Sequence, residues 1–459
     1  MEFQKIKLHR SEKNRAAVTQ ITLDDDYNVP DYRQDIVKVI KERGELRFDE
    51  VKAMEGAAWI KGSLVFKVLY RSDKQEGKIS CLRGEIPFQE RLNMDGLSEY
   101  DAVHATGDME DLTIGVINSR KLNVRAVIVL TASSEKEVDE ELTCELSDGS
   151  SYEQNIVEKE ALKLLVVRRD ICRQKSEAVL PSSKPNIREI LWQSMQLRNV
   201  ESRLVEGNIR LSGEILVSIL YNDEEEGEHL SWYETTVPLD AQAECGVMED
   251  DCIWQVQMVP LTMELEVKPD YDGEERILVM ELALDTHIRI WKEEKIRLLT
   301  DLYSLQKEVK PVFRECPLER LLVKNAAKCR MTEQMELKED KEKVLQICSC
   351  EGKVLLERQE IKTDGVLAEG TVEVNILYIT PDDHMPVGAV QEIYPFSQLV
   401  EIPEMSAQAK VELDASLEQL SAVMLDQEHV EIRAAVRLDL IAFVQEVIQN
   451  IEEATESEP

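Results

Sequence analysis

The sequence predicts a mainly β protein of the α+β kind: three tandem copies of a β-sandwich-like domain, each with a short N-terminal amphipathic helix. The first observation behind this is a stretch that occurs three times, as Gly62–Tyr70, Gly213–Tyr221 and Gly370–Tyr378. Its glycines stand 151 and 157 residues apart, the period of a small domain and not of a solenoid repeat. The second is alternation within the stretch. Leu64, Phe66, Val68 and Tyr70 match Ile215, Val217, Ile219 and Tyr221, then Val372, Val374, Ile376 and Tyr378. Period-two alternation rich in β-branched residues marks a strand with one face on a core. The opposite face carries Ser63, Lys67, Glu214, Ser218, Thr371, Glu373 and Asn375, broken by Val65, Leu216 and a closing leucine, and reads as largely solvated.

Ahead of each strand the chain reads as a helix. Val29-Pro30-Asp31 and Asp35-Ile36 lead into Val37, Val39 and Ile40 and stop at Gly44. Proline and aspartate suit a helix start and glycine its end. Leu180-Pro181 to Ile187 repeats the opening, and Ile36, Ile187 and Val344 each precede their glycine by 26 residues. Behind each strand an acidic turn follows, at 72–77, 222–227 and 381–384, which reads as a hairpin turn. The return strands contain Pro87, Pro238 and Pro395, each 25 residues beyond its glycine; proline donates nothing to a ladder and belongs at a strand end or edge. Last come the alternating runs from Leu122, Leu278 and Val430.

The expected domains span 1–138, 155–292 and 316–447. Residues 136–160, with Ser147–Ser151, read as a flexible connector and 292–320 as a partly helical one. The acidic segment 448–459 reads as a disordered tail.

With 43 % hydrophobic and 32 % charged residues the chain is globular, and at 459 residues each third is long enough for its own core. Its 55 basic and 91 acidic residues leave a net charge of −36. That balance repels phosphate backbones and anionic lipid, so neither nucleic acid nor membrane insertion is expected. Nine scattered cysteines, none in a C-x-x-C, read as reduced thiols of a cytoplasmic protein, and Met1–Arg10 has no apolar signal region. Cys348-x-Cys350 alone is too poor a spacing for zinc.

No catalytic signature is present: no G-x-S-x-G, no phosphate loop, no G-x-G-x-x-G and no H-E-x-x-H. The six histidines make no ligand-spaced pair, and the five tryptophans do not recur at equivalent positions. The expectation is therefore no enzyme, no catalytic residue, no cofactor and no metal. Copy one alone combines Asp31, Asp35, Ser119, Arg120 and Lys121, both signs of charge near chain turns. These five are the candidate protein-binding residues.

Taken together, Val29-Pro30-Asp31, Asp35-Ile36, the glycine-led strand, Ile86-Pro87-Phe88 and Asn118–Leu122 resemble the SPOCS domain of the SipL family, clostridial spore-envelope proteins of the mother-cell cytoplasm. The resemblance implies a protein-binding role in spore coat or envelope morphogenesis, with a coat-basement protein such as SpoIVA as the partner. It also implies a C-terminal LysM module, for which the residues after Phe443 leave no room. Self-association stays open. The alternatives are an enzyme with an inter-domain site, or a carbohydrate-binding array of β domains.

Overall fold

The structure, a computed structural model, describes all residues except 73–76, 148–151, 225–228, 250, 339–341, 404, 407 and 458–459; at 12–15 and 457 it describes the backbone alone. The described residues form strands and turns and contain no helix. Unit one holds β1 (Phe3–Asn28), β2 (Lys38–Met54), β3 (Ala57–Arg71), β4 (Ile79–Asn93), β5 (Val103–Asn118) and β6 (Lys121–Leu146). Unit two holds β7 (Glu153–Val179), β8 (Ile187–Val205), β9 (Asn208–Asp223), β10 (Leu230–Glu244), β11 (Ile253–Pro269) and β12 (Glu275–Tyr303). Unit three holds β13 (Glu308–Glu336), β14 (Gln346–Ile361), β15 (Gly365–Ile379), β16 (Val387–Glu401), β17 (Lys410–Met424) and β18 (His429–Ser457).

The expected N-terminal helix, and with it the α+β class, is overturned. Residues 29–37 form a turn and loop, and the apolar run that follows is the start of β2, with Val39 opposite Tyr70 and Lys41 opposite Leu69. The same holds at β8 and β14. A short run of β-branched residues fits either period, and Pro-Asp opens a turn as readily as a helix. Pairing with the long central strand decides the matter, because it satisfies the backbone groups of the run that face that strand.

Each unit places two three-stranded antiparallel sheets over one core. In unit one they are β2-β3-β4 and β1-β6-β5; in unit two β10-β9-β8 and β11-β12-β7; in unit three β14-β15-β16 and β13-β18-β17. Leu64, Phe66, Val68 and Tyr70 of β3 meet Leu122, Val124, Ile128 and Leu130 of β6 in one cluster, all of them fully buried. Val217 and Ile219, then Val374 and Ile376, fill the same places in the other two cores. Pro87, Pro238 and Pro395 all lie in edge strands, opposite Ser63, Glu214 and Thr371. The landmark glycine has a steric cause. A Cβ on Gly62 would stand 2.9 Å from a Phe88 ring carbon and closer still to the Arg47 carbonyl oxygen, beside the bulge between Phe48 and Glu50. Gly370 stands in the same relation to Phe396 and Leu355.

The opposite face of these central strands is largely covered instead of solvated, with Glu214 exposed and Thr371, Glu373 and Asn375 half-buried. Ser63 and Ser218 are buried, and burial pulls the Lys67 ammonium below its usual range. Leu69, Leu220 and Leu377 belong to one cluster with Trp192, Ile79, Cys348 and Val387. The units close into a ring in which β4 meets β8, β10 meets β14 and β16 meets β2. The face read as wet is thus the face each copy turns to the other two.

The connectors are strand as well. The pairs β1–β6, β7–β12 and β13–β18 are long antiparallel ribbons that run beyond their units. All three carry a register shift at one level, between Lys13 and Arg15, between Leu164 and Val166, and between Leu321 and Val323. A bulge bends its ribbon and increases its twist. Below it the ribbons pack together through Leu8, Leu142, Leu298, Leu318 and Ile448. Asn450 bridges all three there: its Nδ2 donates to the Thr143 oxygen at 2.8 Å and the Leu299 oxygen at 3.0 Å, while its Oδ1 accepts from the Thr143 amide at 2.8 Å. Residues 448–457, expected to be disordered, complete β18, and Ile451 is buried. Residues 292–320, expected to be partly helical, lie mainly in β12 and β13. Most of the expected flexible stretch 147–151, parts of the turns 72–77 and 222–227, and the last two residues lie outside the described residues.

Candidate functional site

The loop that replaces the helix is held at three places. The Val29 amide donates to the Arg120 oxygen at 2.9 Å and the Ile36 amide to the Ser119 oxygen at 2.8 Å, tying the loop to the turn between β5 and β6. From below, the Tyr70 hydroxyl donates to the Gln34 oxygen at 3.1 Å. The Arg120 guanidinium fills the concave side, donating to the oxygens of Arg33 (2.7 Å), Pro30 (2.9 Å) and Val29 (3.2 Å) and to the Asp35 carboxylate (3.2 Å). Asp31 stands 3.6 Å from it with its side chain fully exposed. Lys121 turns the other way, to Asp26 at 2.6 Å, and its hydrogen bond with that of Asn123 lowers the Asp26 carboxyl.

The structure therefore brings Asp31, Asp35, Ser119 and Arg120 into one network and sets Lys121 beside it. Ser119 takes part through its backbone. Arg120 makes its bonds inward, which leaves Asp31 and Tyr32, 81 % exposed, as the outward groups of the loop. Arg33 pairs with Glu189 of unit two at 2.8 Å, so the loop also touches its neighbour.

The same device stands in the other copies, and sequence comparison had missed it. In unit two Arg276 donates to the oxygens of Pro181 (2.7 Å), Lys184 (3.0 Å) and Leu180 (3.4 Å) and to the Asn186 side chain. The longer turn at 269–275 hides the equivalence of Arg276 with Arg120. Unit three reverses the charges: Glu428 holds the place of Arg120 and pairs at 3.1 Å with Lys343, in the place of Asp35. The tyrosine latch is invariant, with Tyr221 bonded to the Pro185 oxygen at 3.1 Å and Tyr378 to the Glu342 oxygen at 3.0 Å. Burial pushes both phenols up to about 12, so they remain donors. The recurrence of one tyrosine in three core strands was the available signal.

Polar groups inside the molecule join units. Glu351 of unit three accepts from Trp192 of unit two at 3.0 Å and pairs with Lys41 (3.4 Å) and Arg43 (3.3 Å) of unit one. Burial opposes its charge, but the two cations and then the indole outweigh burial and lower its carboxyl. Glu135 accepts from Ser11 and pairs with His287 of unit two at 2.9 Å. Burial raises Glu135, yet those two hydrogen bonds prevail and hold it at about 2. His104, close by, is lowered to about 4, mainly by burial and then by Arg169 and His287. Here the serine meets the carboxylate and not the imidazole, and a carboxyl held at about 2 is a weak base for activating a hydroxyl. Burial pushes the Cys348 and Cys350 thiols up to about 12, the reverse of a nucleophile's activation. Among the described residues no group of three His, Cys, Asp or Glu side chains could hold a metal ion.

Three β units closed on one another, each with a latched loop at one end, define a tandem-repeat scaffold. The family model for the SipL, SPOCS domain matches residues 35–117 and 343–425. The two matched segments carry the likeness to the SipL family, which suggests a sporulation-related protein-interaction role. Each starts in a latched loop, at Asp35 and Lys343, and runs through the second to fifth strands of its unit. No curated protein matches the chain. Among solved structures, the ferric yersiniabactin uptake receptor FyuA from Yersinia pestis is 9 % identical over 96 % of this chain and 79 % of that one, at a TM-score of 0.10, too low to carry an argument. Among the described residues no helix is long and apolar enough to cross a membrane.

Proposed function

We propose that the chain is a non-enzymatic interaction protein of spore coat or envelope morphogenesis. It acts in the mother-cell cytoplasm or at the forespore surface by binding a coat-basement protein such as SpoIVA. The observation that carries this reading is the pair of SPOCS-domain matches at equivalent places in units one and three. The loop network of unit one is its binding surface, with Asp31 outermost, Asp35, Ser119 and Arg120 holding the loop in shape, and Lys121 at the margin. A loop held in one conformation loses little entropy on binding, which favours recognition.

The test is capture of SpoIVA by the purified full-length chain. Asp31→Lys should weaken capture at least fivefold with an unchanged melting midpoint, because the side chain is solvated and bonds nothing essential. Arg120→Glu should lower capture and midpoint together. Capture that both variants leave intact removes this loop as the site, and no capture by the unaltered chain removes the partner.

A further inference from the structure

Leu97, Met248 and Met405 are equivalent, each 35 residues beyond its landmark glycine. In unit one the connection from β4 to β5 folds inward. Gly56 bonds it at both ends, through Met94 and Leu97 at 2.9 Å each, and Leu97 is completely buried. Met405 packs on the core of unit three. Met248 alone points away: it is 81 % exposed and lies over the β8–β9 turn, 3.6 Å from where a Cβ on Gly207 would stand.

It borders a half-open cavity of about 680 Å³ in unit two, lined also by Leu204, Val247 and Trp254, with Glu206, Glu249 and Asp251 at its polar side. Trp254 is fixed by its bond to Ser202 at 3.3 Å and by Lys324 stacked 4.4 Å from its ring centre. Lys292 neutralises Glu249 at 2.6 Å. Glu206 and Asp251 have no ion pair among the described residues, and both have positive φ, 46° and 60°. Only Asn199, also in unit two, shares that property among described non-glycine residues. At Glu206 the positive φ belongs to the two-residue β8–β9 turn that it forms with Gly207; the cavity falls within the usual range of roughly 300–1,000 Å³ for binding pockets.

We infer that this corner of unit two is a docking pocket for a partner protein, taking an apolar side chain with a basic residue beside it. The apolar group packs against Leu204, Val247 and Trp254, with Met248 at the rim. The basic residue answers Glu206 and Asp251, whose charges nothing in the described chain offsets. The pocket lies in the unit that neither SPOCS match covers, and the inference stands apart from the proposed partner: its test uses purified chain alone.

The probe is a fluorescein-labelled (Leu-Lys)4 peptide, titrated with the full-length chain at physiological salt and followed by anisotropy. It should bind at least tenfold more tightly than (Ser-Lys)4, and (Leu-Glu)4 should not bind. The double change Glu206→Lys/Asp251→Lys should weaken (Leu-Lys)4 at least tenfold. Glu264→Lys/Asp272→Lys, an equal charge change elsewhere in unit two, should stay within twofold. Equal binding of (Ser-Lys)4, or equal loss in both double variants, is plain attraction to an acidic chain and overturns the inference. No binding of (Leu-Lys)4 overturns it too.

Discussion

Glu135, Trp291 and Phe443 occupy one repeat position, 13 residues beyond Leu122, Leu278 and Val430, at the level where the ribbons converge. Between units two and three the contact is mainly apolar. Trp291 and Phe443 have ring centres 5.5 Å apart and cluster with Leu162, Leu164 and Ile441, beside a buried Arg289–Glu412 pair. Between units one and two the same level is ionic: Glu135, bonded by Ser11 of its own unit, pairs with His287 of unit two, beside the Arg169–Asp285 pair (3.1 Å) within unit two. One backbone arrangement thus accepts two kinds of boundary. Apolar contact is indifferent to pH, whereas a buried pair depends on the charge state of both partners.

The largest effect should come from the apolar boundary. Trp291→Ala should cost about 3–5 kcal/mol, read as a lower denaturant midpoint, with hydrogen exchange rising first in β12 and β18. Exchange rising equally in β1 and β6 would mean the two boundaries are not distinct. Glu351→Ala removes the anion that all three units share and strands the buried Lys41, while Arg43 keeps Glu45, a change of about 3–5 kcal/mol for a buried pair. It should loosen both boundaries at once, and loosening of one alone would break the comparison from the other side.

Glu135→Gln should be milder, about 1–3 kcal/mol for hydrogen bonds to a charged group, with the loss confined to units one and two. Acid should find the same boundary. The folded Glu135 carboxyl lies at about 2 against an ordinary 4.5, so its stabilisation is present above pH 4.5 and lost as pH falls toward 2. His104 lies at about 4 against 6.5, so over that window the unfolded chain takes up a proton that the folded one does not, and stability falls as pH is lowered. Melting midpoints between pH 7 and 4 should therefore fall less steeply for His104→Gln than for the unaltered chain. Parallel slopes would show that His104 is not buried against this boundary.

Much of each unit could be read from residues alone. The glycine-led strand, its inward face and the edge-strand prolines all lie where period and residue type put them, because burial of one face leaves a two-residue signature. The loop of unit one could be read as polar and its residues as neighbours, but not the inward direction of Arg120. The matching roles of Arg276 and of the Lys343–Glu428 pair were hidden. An altered turn length shifts one and a reversal of charge disguises the other, while the backbone bonds they support need neither charge nor spacing to be the same.

The sequence by itself determined the repeat, the core side of Leu64, Val217 and Val374, and the tyrosine that bonds the loop, since these follow from local alternation and short-range sterics. Only the tertiary structure decided the fate of Lys67, Ser218 and Leu69, of residues 136–160 and 292–320, and of the short run after Ile36. Alternation says that a strand has two faces and not what covers the second. Here the cover comes from residues some 150 or 300 positions away, at distances where no local pattern survives and only the closing of three units around one another selects strand over helix, and burial over water.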